Sequence, residues 1–202
     1  MAITNGYATL AQVKAALRIT DTVDDALLET SIEAASREID GYCQRVFYST
    51  TTTRVYNPVN TFLTLTDDIV SVTTLKTSSD GINYDQTWST SDYQLEPLNG
   101  VVGGIEQPYT EVRAIGSQIF PIWSVTGTYT NKAGVQIAGV FGWSSVPTAV
   151  KQATILLSMR QFKRYDSPLG VAGFGDLGVM RVGRVDPDVE ALLMPFAKVA
   201  VA

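Results

Sequence analysis

The run "GFGDLG" at residues 173–178 has the spacing G-x-G-x-x-G. In a strand–turn–helix setting that spacing cradles a dinucleotide pyrophosphate. The flanks decide whether it does so here. A fingerprint of this kind needs a strand before its first glycine, a helix opening at its last, and an acid about 20 residues further on. Instead a helical pattern and the breaker "DSPLG" precede it, and "VMRVGRVDP" follows, where Gly183 and Pro187 interrupt any long helix. No β-α-β alternation exists elsewhere in the chain. The spacing therefore predicts no nucleotide site and no cofactor. The glycines instead define a loop over 166–185 carrying apolar anchors such as Leu169, Val171, Phe174 and Leu177. Glycine loses the most backbone entropy on ordering, so the loop is expected to order against a partner, with a plain surface loop as the alternative.

Other chemistry is scarce. The chain has 202 residues and no histidine, which removes the commonest general base and metal ligand together. Its one cysteine, Cys43, permits no internal disulfide. Asp24-Asp25 and Asp67-Asp68 are adjacent acids at a helix start and a turn, and neither needs a catalytic explanation. No cysteine pair, P-loop or EF-hand pattern is present, and no metal site or enzymatic activity is expected. The N-terminus has no basic and apolar leader pattern, and no run approaches the ~18 apolar residues of a membrane span.

Net charge is −5 and unevenly spread. Residues 150–185 carry six bases (Lys151, Arg160, Lys163, Arg164, Arg181, Arg184) against Asp166 and Asp176, within an otherwise acidic chain. Such a segment suits contact with an acidic surface, or is a solvated helix end.

The elements read as α+β. Thr9 and Gln12 form a capping box for a helix running to about Arg18. A longer helix, capped by Thr22 or Asp24, carries the stripe Leu28, Ile32, Ala35, Ile39, Tyr42, Cys43 and Val46 at 3.6 spacing, with Glu29, Glu33, Asp40 and Gln44 opposite. The stripe makes Cys43 a core residue rather than a nucleophile. From 48 to 144 the texture changes to Thr, Val, Ser and aromatics. "TTTRVYN", "TFLTL", "IVSVTTLK" and "GVQIAGVFG" read as strands, and Asp80-Gly81 and Asn99-Gly100 as turns, the first with the chemistry of a type I′ hairpin. A third helix begins near Pro147 and runs through "TAVKQATILLSMRQFKRY". Val150, Ala153 and Leu157 form one face; Ile155, Met159 and Phe162 form another. Two faces need two packing partners: the monomer and a second subunit, or one enclosing core. Asp186, Pro187 and Pro195 bound a short last helix.

The segment "YATLAQVKAALRITDTVDDALLETSIEAASREIDGYCQRVF" resembles the opening of the head–tail connector (adaptor) proteins of tailed bacteriophages. "GVFGWSSVPTAVKQATILLSMRQFKRYDSPLGVAGFGDLGVMRV" resembles their closing pattern, and "DPDVEALLMPF" their terminal helix. The order and spacing of these segments, over about half the chain, carry the resemblance. The central β region is similar to that of longer members with an insertion between helices two and three. The resemblance implies a small helical bundle, 1–47 with 145–202, interrupted by an antiparallel β insertion at 48–144. It further implies a twelve-fold homo-oligomeric ring under the portal protein, in the virion neck after assembly in the host cytoplasm. The ring would extend the DNA channel and join the capsid to the next neck or tail-completion protein. Genomic DNA would pass without sequence-specific binding, which the acidic balance suits.

Met159, Phe162, Lys163, Arg164, Leu169, Phe174, Arg181 and Arg184 are the expected partner or subunit contacts. The competing reading is a β-sandwich module that binds a carbohydrate or receptor. A glycosidase would need two convergent carboxylates, for which the sequence gives no sign.

Overall fold

Four helices and ten strands are seen in the computed structural model, which describes residues 3–122, 124–125, 128–129, 134–165 and 186–198. The helices are α1 (Leu10–Leu17), α2 (Asp25–Cys43), α3 (Thr148–Arg164) and α4 (Pro187–Leu193). The strands are β1 (Thr50–Tyr56), β2 (Leu63–Thr77), β3 (Gln86–Trp88), β4 (Tyr93–Glu96), β5 (Val101–Val102), β6 (Ile105–Glu106), β7 (Tyr109–Ala114), β8 (Ser124–Val125), β9 (Thr128–Tyr129) and β10 (Val135–Phe141). They fall into two compact units, Met1–Phe47 with Val146–Ala202, and Tyr48–Ser145. The fold is α+β, with a central region in which every strand pairing is antiparallel.

In the helical unit, α1 opens on the expected capping box. The Thr9 hydroxyl accepts from the Gln12 backbone at 3.2 Å, and the Gln12 side chain accepts from Thr9 N–H at 2.9 Å. These bonds satisfy two donors that a helix start leaves unpaired. Asp24 occupies the cap position of α2, but its side chain makes no capping bond. Asp25 instead pairs with Lys14, fastening the first turn of α2 to α1. Leu28, Ile32, Ala35, Ile39 and Cys43 are fully buried, as the 3.6 spacing requires. Tyr42 departs from that stripe and is 41% exposed.

Both apolar faces of α3 are covered within this unit. Val150, Ala153 and Leu157 are buried, and Phe162 is buried among Ala8, Val13, Leu28 and Ile32, with Ile155 and Met159 packed against the same cluster. The second face of α3 is thus a seam with α1 and α2 of its own chain. Phe162 is not free for a neighbour, and Met159 is only partly so. Periodicity counts apolar faces but does not say which chain covers them.

In the β unit the main sheet runs β1-β10-β2-β7-β4, with β3 also pairing β2. "TFLTL" and "IVSVTTLK" are one strand, not two. Between the pairs Leu65↔Glu111 and Ile69↔Tyr109, residues 66–68 of β2 face the single residue Thr110 of β7. This is a bulge, which bends the strand without ending it. Asp67 and Asp68 lie in it. Asp67 accepts from Arg54 at 2.6 Å and from the Tyr56 hydroxyl at 3.1 Å. Buried Asp68 accepts from Trp143 Nε1 at 3.1 Å. The adjacent acids are accounted for as structural links.

The core of this unit gathers Ile69, Leu75, Val112, Val135, Ile137 and Phe141 on one face of the sheet, closed by Trp88 stacked on Phe120 at 4.8 Å. The other two sheets are two-stranded ribbons. The second large sheet that a β-sandwich module needs is therefore not among the described residues.

Asp80-Gly81 is not a two-residue hairpin, because eight residues separate Thr77 from its partner Gln86. The Asp80 carboxylate accepts from Ile82 N–H at 2.8 Å and Asn83 N–H at 2.7 Å, forming an Asx-type turn. The tight hairpin is "VVGGIE", where Val102 pairs with Ile105 and both Gly103 and Gly104 have positive φ.

Candidate functional site

Two features of the helical unit are built from side chains that sequence spacing alone did not bring together. The first is a clip between the N-terminal segment and α2. Thr4 N–H donates to Glu33 at 2.7 Å, Arg37 to the Asn5 carbonyl at 3.0 Å, and Tyr7 N–H to the Ser36 hydroxyl at 3.1 Å. The Tyr7 hydroxyl donates to Asp40 and accepts from Phe47 N–H at 2.8 Å. Asp40 also pairs with Arg37 at 3.0 Å. Glu33 and Asp40, expected on a solvated face of α2, thus receive residues 4–7 of the chain. Burial, then the bond to Asp40, hold the Tyr7 hydroxyl well above its usual pKa. Burial also raises Asp40, against the opposing pull of the Tyr7 bond and the Arg37 charge. The Tyr7 phenol is thereby held protonated near neutrality, which suits a clasp.

The second feature is a cleft of about 170 Å³ between α2, α3 and α4. Ile39, Leu157, Val189 and Leu193 contribute apolar lining, and Glu38, Arg160, Gln161, Arg164, Asp186 and Glu190 contribute polar groups. Gln161 donates to Glu38 at 2.9 Å, and Arg160 lies 3.8 Å from Asp186. Tyr42 also lines this cleft and hydrogen-bonds Glu190, which explains its departure from the buried stripe. Among the described residues no three histidine, cysteine or acidic side chains come together to hold a metal ion. Nor is any helix long and apolar enough to cross a membrane.

The expected contact residues are dispersed. Phe162 is in the core and Met159 beside it, while Lys163 and Arg164 are exposed at the end of α3. Leu169, Phe174, Arg181, Arg184 and the whole of "GFGDLG" lie outside the described residues. Arg45, to which no role attaches from sequence, is buried and donates to the Phe196 carbonyl at 3.3 Å. With Lys198 N–H donating to the Cys43 carbonyl at 3.0 Å, it ties the end of α2 to the C-terminal turn.

Cys43 is fully buried, and burial pushes its thiol from 9.0 up to about 11. The thiolate is the reactive form, so at pH 8 this shift alone cuts reactivity about 100-fold. A thiol reagent should label native protein at least that much more slowly than urea-denatured protein. Equal rates would contradict the packing of α2.

The two units together define an α+β protein with a helical clasp and cleft in one unit and a bulged antiparallel sheet in the other. The model of the family described as phage gp6-like head–tail connector protein matches residues 7–89. The resemblance read from the opening helices therefore holds and extends through β3. The second segment carrying it, residues 139–182, lies beyond the matched range. Over the full length the fold is similar to a chain in the neck of an empty gene transfer agent (GTA) particle computed with C6 symmetry. That match has a TM-score of 0.55 at 19% identity and covers 100% of this chain and 95% of the other. A chain in the neck of the native particle, computed with C12 symmetry, matches with TM-score 0.55, 19% identity and 100% and 94% coverage. A chain of the native GTA virion matches with TM-score 0.54, 21% identity and 100% and 95% coverage. No curated protein matches the chain.

Proposed function

We propose that this protein is a structural head–tail connector without enzymatic activity. It forms a ring in the neck of a tailed phage or phage-like particle. The ring docks under the portal, extends the DNA channel and presents a surface to the next neck or tail-completion protein. Genomic DNA passes through it without sequence-specific binding. Subunits fold in the host cytoplasm and end in the virion neck.

The observation that carries this reading is the connector-family match over α1, α2 and the first strands. Full-length likeness to chains from necks computed with six- and twelve-fold symmetry supports a ring. Exposed Lys163 and Arg164, with Leu169, Phe174, Arg181 and Arg184 in the segment that follows, are the proposed contacts to the portal or to a neighbouring subunit. Phe162 is withdrawn from that set, and Met159 contributes only its exposed edge.

Negative-stain imaging with light scattering tests the proposal, on the purified chain alone and mixed with the portal of the same particle. Closed rings are expected, twelve-fold when seated on the portal. A chain that stays monomeric at all concentrations and does not bind the portal overturns the reading.

A further inference from the structure

The β unit carries two separate apolar surfaces that its own core leaves uncovered. The first lies beyond the C-terminal end of β7. The turn at Asn60–Leu63 is held by Val59 N–H and Asn60 N–H, both donating to the Leu63 carbonyl at 2.8 and 3.3 Å. It is stitched to the segment after β7 by Ala114 N–H on the Phe62 carbonyl at 2.9 Å and Phe120 N–H on the Thr61 carbonyl at 2.7 Å. On this hydrogen-bonded frame Val59, Phe62, Ile115 and Ile119 stand exposed, Phe62 at 52% and Ile119 at 57%. Exposed apolar side chains gathered on one hydrogen-bonded frame are the kind of surface that marks a protein contact.

The second surface lies at the other end of the same strand. The β5–β6 ribbon leaves the sheet after Glu96 and returns at Gln107, where Gln107 N–H donates to the Gly100 carbonyl at 2.8 Å. It exposes Leu98, Val101 and Val102 at 57%, 44% and 48%. β7 has six residues, so the two surfaces stand about 20 Å apart, at opposite ends of one strand.

We propose that the β units of neighbouring copies pack head to tail, the 98–106 ribbon of one copy seated on the Phe62 patch of the next. The inference rests on the ring proposed above. A closed cyclic ring needs a heterologous contact, in which each copy offers two different surfaces. A single self-complementary patch would give a two-fold dimer and stop. This unit offers two distinct apolar surfaces at opposite ends of β7, one a two-stranded ribbon and the other a framed patch.

The test uses the full chain and two variants, Phe62→Asp and Val102→Asp. Both side chains are about half exposed, so each variant should keep the wild-type circular dichroism and melting temperature. Each alone should be monomeric at concentrations where the wild type forms rings. Mixed in equal amounts, they should form a one-to-one dimer and nothing larger. The intact ribbon of the Phe62→Asp copy meets the intact patch of the Val102→Asp copy, and the remaining surfaces are both spoiled. Ile119→Asp, in the same patch, should behave as Phe62→Asp does. Rings formed by either variant, or a mixture that stays monomeric, overturn the head-to-tail pairing and leave the connector reading standing. A wild-type chain that forms no ring, alone or on the portal, overturns the connector reading itself.

Discussion

Replacing Gly142 by alanine should lower the stability of the β unit by at least about 3 kcal/mol, the range reserved for a forced backbone clash. Gly142 follows the last residue of β10 and has φ of +101°, a region that residues with a Cβ rarely occupy. A Cβ built there would lie 2.9 Å from the Tyr48 carbonyl carbon and closer still to its oxygen. Neither neighbour can yield easily. Gly142 N–H donates to the Asp68 carbonyl at 2.8 Å, and the Asp68 carboxylate accepts from buried Trp143. Relieving the clash would pull β10 off the bulge of β2. For a chain of about this length the loss corresponds to roughly 6–12 °C in melting temperature. Thermal unfolding followed by near-UV circular dichroism of Trp88 and Trp143 measures it. A shift below about 2 °C would mean that the exit of β10 is not locked as described.

This lock also shows which parts of the fold could be read from sequence. Local patterns carried through: the Thr9–Gln12 box, the Leu28-to-Cys43 stripe apart from Tyr42, and the Asp186-Pro187 start of α4 form as spaced. Each depends on residues within a turn or two of one another. What sequence spacing hid depends on partners far along the chain. "TDD" within 66–68 has the composition of a break, yet it is a bulge because β7 pairs with β2 both before and after it. The second face of α3 fits either a neighbouring subunit or one enclosing core by periodicity, and α1 and α2, more than 100 positions earlier in the chain, cover it. The cleft beside α4 joins α2 to residues near the other end of the chain, and no periodicity connects Tyr42 with Glu190. "VVGGIE" was legible in principle, since two glycines between β-branched residues favour a type I′ turn. The Asp80-Gly81 pair carries the same turn chemistry but sits in an eight-residue connection.

The clasp at Tyr7 is the other place where one atom should matter greatly. Tyr7 is 2% exposed, and its hydroxyl serves two groups at once, donating to Asp40 and accepting from Phe47 N–H. Tyr7→Phe keeps the ring and its edge-on contact with Phe47, so packing is little changed. It removes the bond that stabilises the Asp40 carboxylate and leaves the Phe47 N–H without that acceptor. A hydrogen bond to a charged group contributes about 1.5–3 kcal/mol, so a loss of roughly 2–3 kcal/mol is expected near neutral pH. The dependence on pH separates the two contributions. Burial already lifts Asp40 above its ordinary 3.8. A carboxyl raised in the folded state favours folding fully below its unfolded pKa, and that contribution fades as pH rises through the folded value. Without the Tyr7 bond the folded value rises further, so ionised Asp40 disfavours the variant more than the wild type. The gap in stability between the two proteins should therefore be larger at pH 7 than at pH 4. The loss that remains at pH 4 reports the bonds that the Tyr7 hydroxyl makes to uncharged partners. Urea unfolding at both pH values measures the gap. A gap of the same size at each would show that the Asp40 carboxylate does not depend on Tyr7, and that the clasp is held by Arg37 instead.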